Sequence, residues 1–269
     1  MGGKPSKQHV VEDVVAREAE DIARKEAMLR GMVSEDGTSM VVRDIPADVC
    51  TRDGIEALRR VLADGLALEK VVIEGCNIGV VGARMIARLL LDVGWIELSL
   101  ARNHLGVEGT TVLAEVLKGN SVLEVLSLAG NSVGLAGASA LASLLESNRS
   151  LRVLDLGETD LREEGMAVLA PVLAQNRSIE SLDLSKNDIG NDAGVHAVAD
   201  IILGNTTLTS MSLASNSIKR TGCLVLLEAL RQNHSLTSVD MAGNAKTDGG
   251  AELLADHLKV NATLGDSLF

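Results

Sequence analysis

The side chains best suited to nucleophilic or metal chemistry are five histidines (His9, His104, His196, His234 and His257) and three cysteines (Cys50, Cys76 and Cys223). They are scattered along the chain. No HExxH, CxxC, GxSxG or Walker loop occurs, and no GxGxxG opens a helical segment. The one recurrent carboxylate is a column: Asp155, Asp183 and Asp240 each stand between two aliphatic residues at equivalent points of the sequence. Paired carboxylates serve general acid–base chemistry when a cleft holds substrate between them. On neighbouring strands, about 4.8 Å apart, they would instead set like charges side by side on an open face. We therefore expect no catalytic residue, no metal site and no cofactor. The column reads as either a solvated sheet face or a binding stripe.

Two further patterns suggest modification. Asn148, Asn176, Asn205, Asn233 and Asn261 each begin an N-x-S/T sequon. All five recur at one position of a longer period, so that period explains them better than glycosylation does. Met1, Gly2 and Ser6 satisfy the short Met-Gly-x-x-x-Ser pattern for acylation of Gly2, with Lys4 and Lys7 nearby. Pro5 within the pattern and the lack of a neighbouring cysteine weaken it. A single acyl chain holds a membrane only marginally, so membrane contact is expected only if Gly2 is myristoylated.

Composition narrows the class further. The 269 residues carry 25 Lys plus Arg against 37 Asp plus Glu, a net charge of −12. Such a surface repels phosphate backbones. One Trp, one Phe and no Tyr leave no ring platform on which bases could stack. A nucleic-acid partner is not expected. Hydrophobic residues make up 46%, so the chain folds around an aliphatic core. No run of apolar residues is long enough to span a bilayer. The charged N-terminal stretch lacks an apolar signal core, and the odd, dispersed cysteines fit a reducing compartment. A cytoplasmic location is expected.

The elements that must position these residues follow from a repeat. Leu123-x-x-Leu126-x-Leu128-x-x-Asn131-x-Val133 returns as Leu151-x-x-Leu154-x-Leu156-x-x-Thr159-x-Leu161, and again as Ile179-x-x-Leu182-x-Leu184-x-x-Asn187-x-Ile189. The polar ladder position reads Cys76, Asn103, Asn131, Thr159, Asn187, Asn216 and Asn244, with steps of 27, 28, 28, 28, 29 and 28. A second series, Asn120 through Asn261, keeps the same register. The paired leucines alternate at period two, so a short strand points both inward. Leu141, Leu144 and Leu145 share a helix face, predicting a helix over 138–147 opened by Gly137. One such unit cannot bury its own apolar face, whereas stacked neighbours can. Strands pack more closely than helices, and the mismatch bends the stack with its strands on the inner side.

This L-x-x-L-x-L-x-x-N/C-x-L pattern identifies a leucine-rich repeat. The 28-residue period, the glycine six residues past the ladder position (Gly82, Gly109, Gly137, Gly165, Gly222, Gly250) and the closing N-x-x-L resemble the ribonuclease-inhibitor-like subfamily over roughly residues 40–264. The resemblance implies an α/β fold: a right-handed, curved solenoid with a parallel concave sheet and convex helices. We expect a solenoid of about eight units over residues 40–269. Before it, residues 1–39 form a tail and an amphipathic helix with Val11, Val15, Ile22 and Leu29 on one stripe. That helix either caps the solenoid or docks on a partner. Arg24 and Lys25 are expected outside the stripe. At the other end, Phe269 is expected to plug the last core layer. Pro171 falls inside a predicted helix and loses a backbone donor there, which predicts a bend or a late start in that unit.

The inner face is where proteins of this kind usually bind. Its candidate contacts are Glu97, Ser99, Arg102, Ser127, Asp155, Glu158, Asp183, Lys186, Ser212 and Asp240. Small and mildly acidic, without aromatic anchors, this face calls for a protein partner that supplies basic or aromatic groups. The expected function is a non-enzymatic protein–protein interaction scaffold or adaptor, of the type the resemblance associates with cytoskeletal and ciliary assemblies. Two alternatives stand beside it. One is a regulator of small GTPases resembling Ran GTPase-activating proteins, with Arg102 as the nearest candidate side chain. The other is an inhibitor or receptor of a basic protein ligand, steered by the net charge.

Overall fold

The structure is a computed structural model that describes residues 7–43, 52–64, 66–190 and 192–244. Gly2, Cys50, His257, Asn261 and Phe269 lie outside the described residues, as do the side chains of His9 and Val11. Eight strands alternate with eight helices. The strands are β1 (Ser39–Arg43), β2 (Lys70–Glu74), β3 (Glu97–Ser99), β4 (Val125–Ser127), β5 (Val153–Asp155), β6 (Ser181–Asp183), β7 (Ser210–Ser212) and β8 (Ser238–Asp240). The helices are α1 (Lys7–Arg30), α2 (Arg52–Ala63), α3 (Gly79–Leu89), α4 (Gly106–Leu117), α5 (Gly134–Ser147), α6 (Arg162–Gln175), α7 (Asp192–Gly204) and α8 (Arg220–Gln232). All strands join one parallel sheet in sequence order, β1 to β8. Each connection crosses through one helix, so the stack is a leucine-rich repeat solenoid with helices on its outer side.

Register follows the repeat. Leu98, Leu126, Leu154, Leu182, Met211 and Val239 align across β3 to β8, and all are at most 1% exposed. Leu141, Leu144 and Leu145 of α5 meet them from the helix side. Each fully buried leucine stabilises the stack by roughly 1.5–3 kcal/mol relative to exposure. Trp95, the bulkiest fully buried side chain, occupies the position held by Leu123 and Leu151 in later units. It sits in the one unit with a 27-residue step, where a larger side chain fills the layer.

The repeat glycine does not open the helix as its position suggested. Helix α5 starts at Gly134, three residues before Gly137. Gly137 lies within the first turns, where a Cβ would stand 2.7 Å from Val133 Cγ1 and 3.4 Å from Thr110 Cγ2 of α4. The space a Cβ would need is taken first by Val133 of the same helix start, with Thr110 of α4 in packing contact beyond it.

At Pro171 the late start, one of the two expected outcomes, does not occur. Helix α6 runs unbroken from Arg162 to Gln175 through it, with no late start. The register nonetheless holds, since Val153 pairs with Ser181 in the sheet. Pro171 and Ala167 are both exposed. The carbonyl that loses its partner thus belongs to an exposed residue on the solvent side of the helix.

At the N-terminal end α1 packs on α2. Leu29 is buried and Ile22 packs against the core, but Val15 of the same stripe is 58% exposed. Length accounts for this: 24 residues span about 36 Å and the 12 of α2 about 18 Å, so half of α1 overhangs. Lys25 is buried, its ammonium 2.5 Å from Asp21, because position 25 shares a helix face with Ile22. Met32 and Val33 then run antiparallel beside β1, with the Val41 N–H donating to the Met32 carbonyl.

Candidate functional site: the concave sheet and its polar ladders

Two ladders of buried asparagine hold the strands at fixed height. Asn131 is fully buried. Its Nδ2 donates to the carbonyls of Leu100, Leu128 and Ala129 at 2.9, 2.8 and 3.2 Å. Its Oδ1 accepts from the Asn103 and Leu105 N–H groups at 3.0 and 3.1 Å. One side chain thus satisfies backbone groups of two units, and Asn187 and Asn216 repeat the arrangement. Thr159 does less: its hydroxyl reaches the Leu156 carbonyl of its own unit and Asn187 Oδ1 of the next, and no bond runs from it to the preceding unit's Leu128 carbonyl. The Cys76 sulfur lies 3.1 and 3.8 Å from the Glu74 and Val42 carbonyls.

The second ladder accounts for the sequons. Asn148 Nδ2 donates to the Leu117 and Asn120 carbonyls, while its Oδ1 accepts from the Ser150 and Leu151 N–H groups. The Ser150 hydroxyl also binds Asn148 Oδ1 and the Asn120 carbonyl. Ser178, Thr207 and Ser235 bind their own asparagines in the same way. N-x-S/T is here a turn-forming pair. The amide nitrogens of Asn148, Asn176 and Asn205 are buried and engaged. Between Asn and Ser, Arg149 and Arg177 fold back onto helix-end carbonyls, where a cation is favoured.

The carboxylate column has a structural duty that spacing alone does not reveal. Asp155 Oδ1 accepts from the Gly157 N–H at 3.0 Å, Asp183 Oδ1 from Ser185 N–H at 2.7 Å, and Asp240 Oδ1 from Ala242 N–H at 2.8 Å. Each is an Asx turn at the end of its strand. The second oxygen of Asp155 accepts from the Ser127 hydroxyl at 2.7 Å. Asp155 and Asp183 are sheet partners, so two carboxylates do stand side by side.

Among the ten inner-face candidates, Arg102, Ser127, Asp155, Glu158, Asp183 and Lys186 share one shallow depression of about 280 Å³. Glu97, Ser99, Ser212 and Asp240 lie outside its lining. Ser99 is buried, with its hydroxyl donating to Glu74. Glu97 pairs with Lys70 at 2.6 Å, and Lys186 with Glu158 at 3.3 Å. The floor is made by Ala101, Ala129, Gly157 and Ser185, all two residues before a ladder position. That recurrence of small residues is visible in the sequence. At Gly157 a Cβ would stand 2.9 Å from Ser185 Oγ and 3.3 Å from Asp155 Oδ1.

The residue just before each ladder position is left-handed: Arg102, Glu158, Lys186 and Ser215 have φ of 55°, 57°, 54° and 55°. Gly130 holds the same place with φ 65°, and a Cβ there would lie 2.6 Å from Arg102 Cγ. The Arg102 side chain therefore crosses the backbone at Gly130. Among the described residues, no group of three His, Cys, Asp or Glu side chains is placed to hold a metal ion. No helix of the described residues is long and apolar enough to cross a membrane.

A parallel sheet stacked unit by unit, with an asparagine sealing each bend, defines a solenoid of strand–turn–helix repeats. The family model for the leucine-rich repeat matches residues 119–142, 147–170, 175–195 and 232–255. No curated protein matches the chain. Among solved structures, the leucine-rich repeat-containing protein LegL7 from Legionella pneumophila is similar. It shares 17% identity at a TM-score of 0.60, over 82% of this chain and 72% of that one. Leiomodin-1 actin-binding site 2 aligns at 18% identity and a TM-score of 0.48, over 56% of this chain and 86% of that one. The chain is a leucine-rich repeat protein.

Proposed function

We propose that the protein is a non-enzymatic interaction scaffold or adaptor that docks a protein partner on the concave sheet. The observation that carries this reading is the registered row Ser127, Asp155, Asp183, Ser212 and Asp240, which no other described element of the chain covers. Lys70, Lys186 and Arg43 are paired with Glu97, Glu158 and Glu74. Asp155, Asp183 and Asp240 have no cationic neighbour in ion-pair range among the described residues. A partner with basic or aromatic contacts fits this face, and the net charge of −12 speeds its approach. The resemblance to the ribonuclease-inhibitor-like subfamily is consistent with this role. A cytoskeletal or ciliary setting in the cytoplasm rests on that resemblance alone.

The test is affinity capture with lysine crosslinking, comparing the natural chain with Asp155→Arg/Asp183→Arg. The expected result is a crosslinked partner that the double variant loses at a temperature where circular dichroism shows both forms folded, because the arginines also remove two strand-end turns. Partners retained equally by both forms would remove the concave face from the reading.

A further inference from the structure

The helical side of the N-terminal units carries a second surface, independent of the concave sheet. Helices α2 and α3 meet over fewer residues than any other adjacent helix pair of the described chain. Between them, and beside α1, opens a groove of about 860 Å³. Its floor is apolar: half-buried Ile22 and Ile55, buried Met85 and half-buried Leu89. Val81 stands at its edge, 63% exposed. Elsewhere in the stack a neighbouring helix fills this space. Here apolar residues of three helices line one open groove.

The charges around the slot decide what fits it. Glu56 is bound to Arg59 and Arg60, and Arg84 to Glu108 on α4. Glu18, Asp53 and Asp92 have no cationic partner among the described residues, against one unpaired cation, Arg88. Over the whole lining, four carboxylates face three guanidinium groups, so the rim is acidic by one charge and its unpaired groups are mostly carboxylates.

We propose that this groove docks a basic amphipathic helix of a partner protein. Its apolar stripe lies on Ile22, Ile55 and Met85, and its lysines or arginines face Glu18, Asp53 and Asp92. Helix-in-groove recognition of this kind reads anchors at i, i+3, i+4 and i+7, and ridge-into-groove packing supplies the fit.

The probe is a synthetic 18-residue helix with a leucine stripe flanked by lysines, titrated by fluorescence anisotropy into the full chain at low salt. The expected result is saturable binding that weakens at least tenfold in Val81→Asp/Glu18→Lys, two exposed positions that leave the core intact. Asp155→Arg/Asp183→Arg should bind the probe unchanged, which separates this groove from the concave-face reading. A control peptide with glutamates in place of the lysines should bind at least tenfold more weakly. No saturable binding to the natural chain, or binding insensitive to Val81→Asp/Glu18→Lys, overturns the proposal. So does binding lost only in the concave variant.

Discussion

Replacing Asn187 by alanine tests whether the ladder holds the stack together. Asn187 Nδ2 donates to the carbonyls of Leu156, Leu184 and Ser185 at 2.7, 3.1 and 3.1 Å. Its Oδ1 accepts from Thr159 N–H, Thr159 Oγ1 and Leu161 N–H at 3.0, 3.0 and 3.2 Å. Alanine leaves two buried backbone N–H groups without acceptors. A net hydrogen bond is worth about 1 kcal/mol, and each stranded buried group costs about 1–3 kcal/mol. Asn187→Ala should therefore destabilise by about 3–5 kcal/mol, a large share of the roughly 5–15 kcal/mol available to a domain. Asn187→Asp keeps the acceptors but turns a carboxylate toward the Leu156 and Leu184 carbonyls. Its pKa is then raised in the folded state, so this variant should gain stability as pH falls from 7 to 5. Urea unfolding followed by far-UV circular dichroism measures both effects. A loss below about 1 kcal/mol for Asn187→Ala, or an Asn187→Asp variant that weakens on acidification, would refute the bonding argument.

Four other outcomes follow from the same geometry. Thr159→Asn restores the donor to the Leu128 carbonyl and the acceptor for Asn131 N–H, and should stabilise by about 1 kcal/mol in the same urea assay. Pro171→Ala returns an N–H to the exposed carbonyl of Ala167 and should raise stability by about 1 kcal/mol; an unchanged midpoint would mean that the carbonyl loses nothing to water. Lys186→Gly relieves a left-handed φ of 54° and should be neutral or stabilising by about 1 kcal/mol, with a marked loss pointing instead to the Glu158 pair. Arg59 holds the Glu56 carboxyl down to about 2, with help from Arg60. The stability this contributes is present above the ordinary value of 4.5 and fades as pH falls toward 2. Because the pair is exposed it is worth under about 1 kcal/mol, and Glu56→Gln should flatten the acid limb of the stability profile by that amount.

Much of the architecture is legible in the residue order. A period of 28 with leucine at alternating positions allows one answer, because a unit that buries its apolar side only against a copy of itself must stack. The ladder series, the alignment of the strand leucines and the inner-face residues all follow from that period. Other features are set by how units meet. The Ser and Thr of the sequons serve the turn, since their hydroxyls reach the Asn side chain and the preceding unit. The strand-end aspartates cap the bend through their own backbone two residues on. Gly137 makes room for Val133 and for Thr110 of α4, and Pro171 lies on the exposed side of α6. The aspartate turns are local, whereas the sequon hydroxyls also bind a carbonyl about 28 positions back and Pro171 depends on which side meets solvent. The two candidate surfaces differ for the same reason. The inner row is periodic and so can be read along the chain, whereas the groove beside α1 exists only because α2 and α3 diverge, a matter of packing that no spacing records.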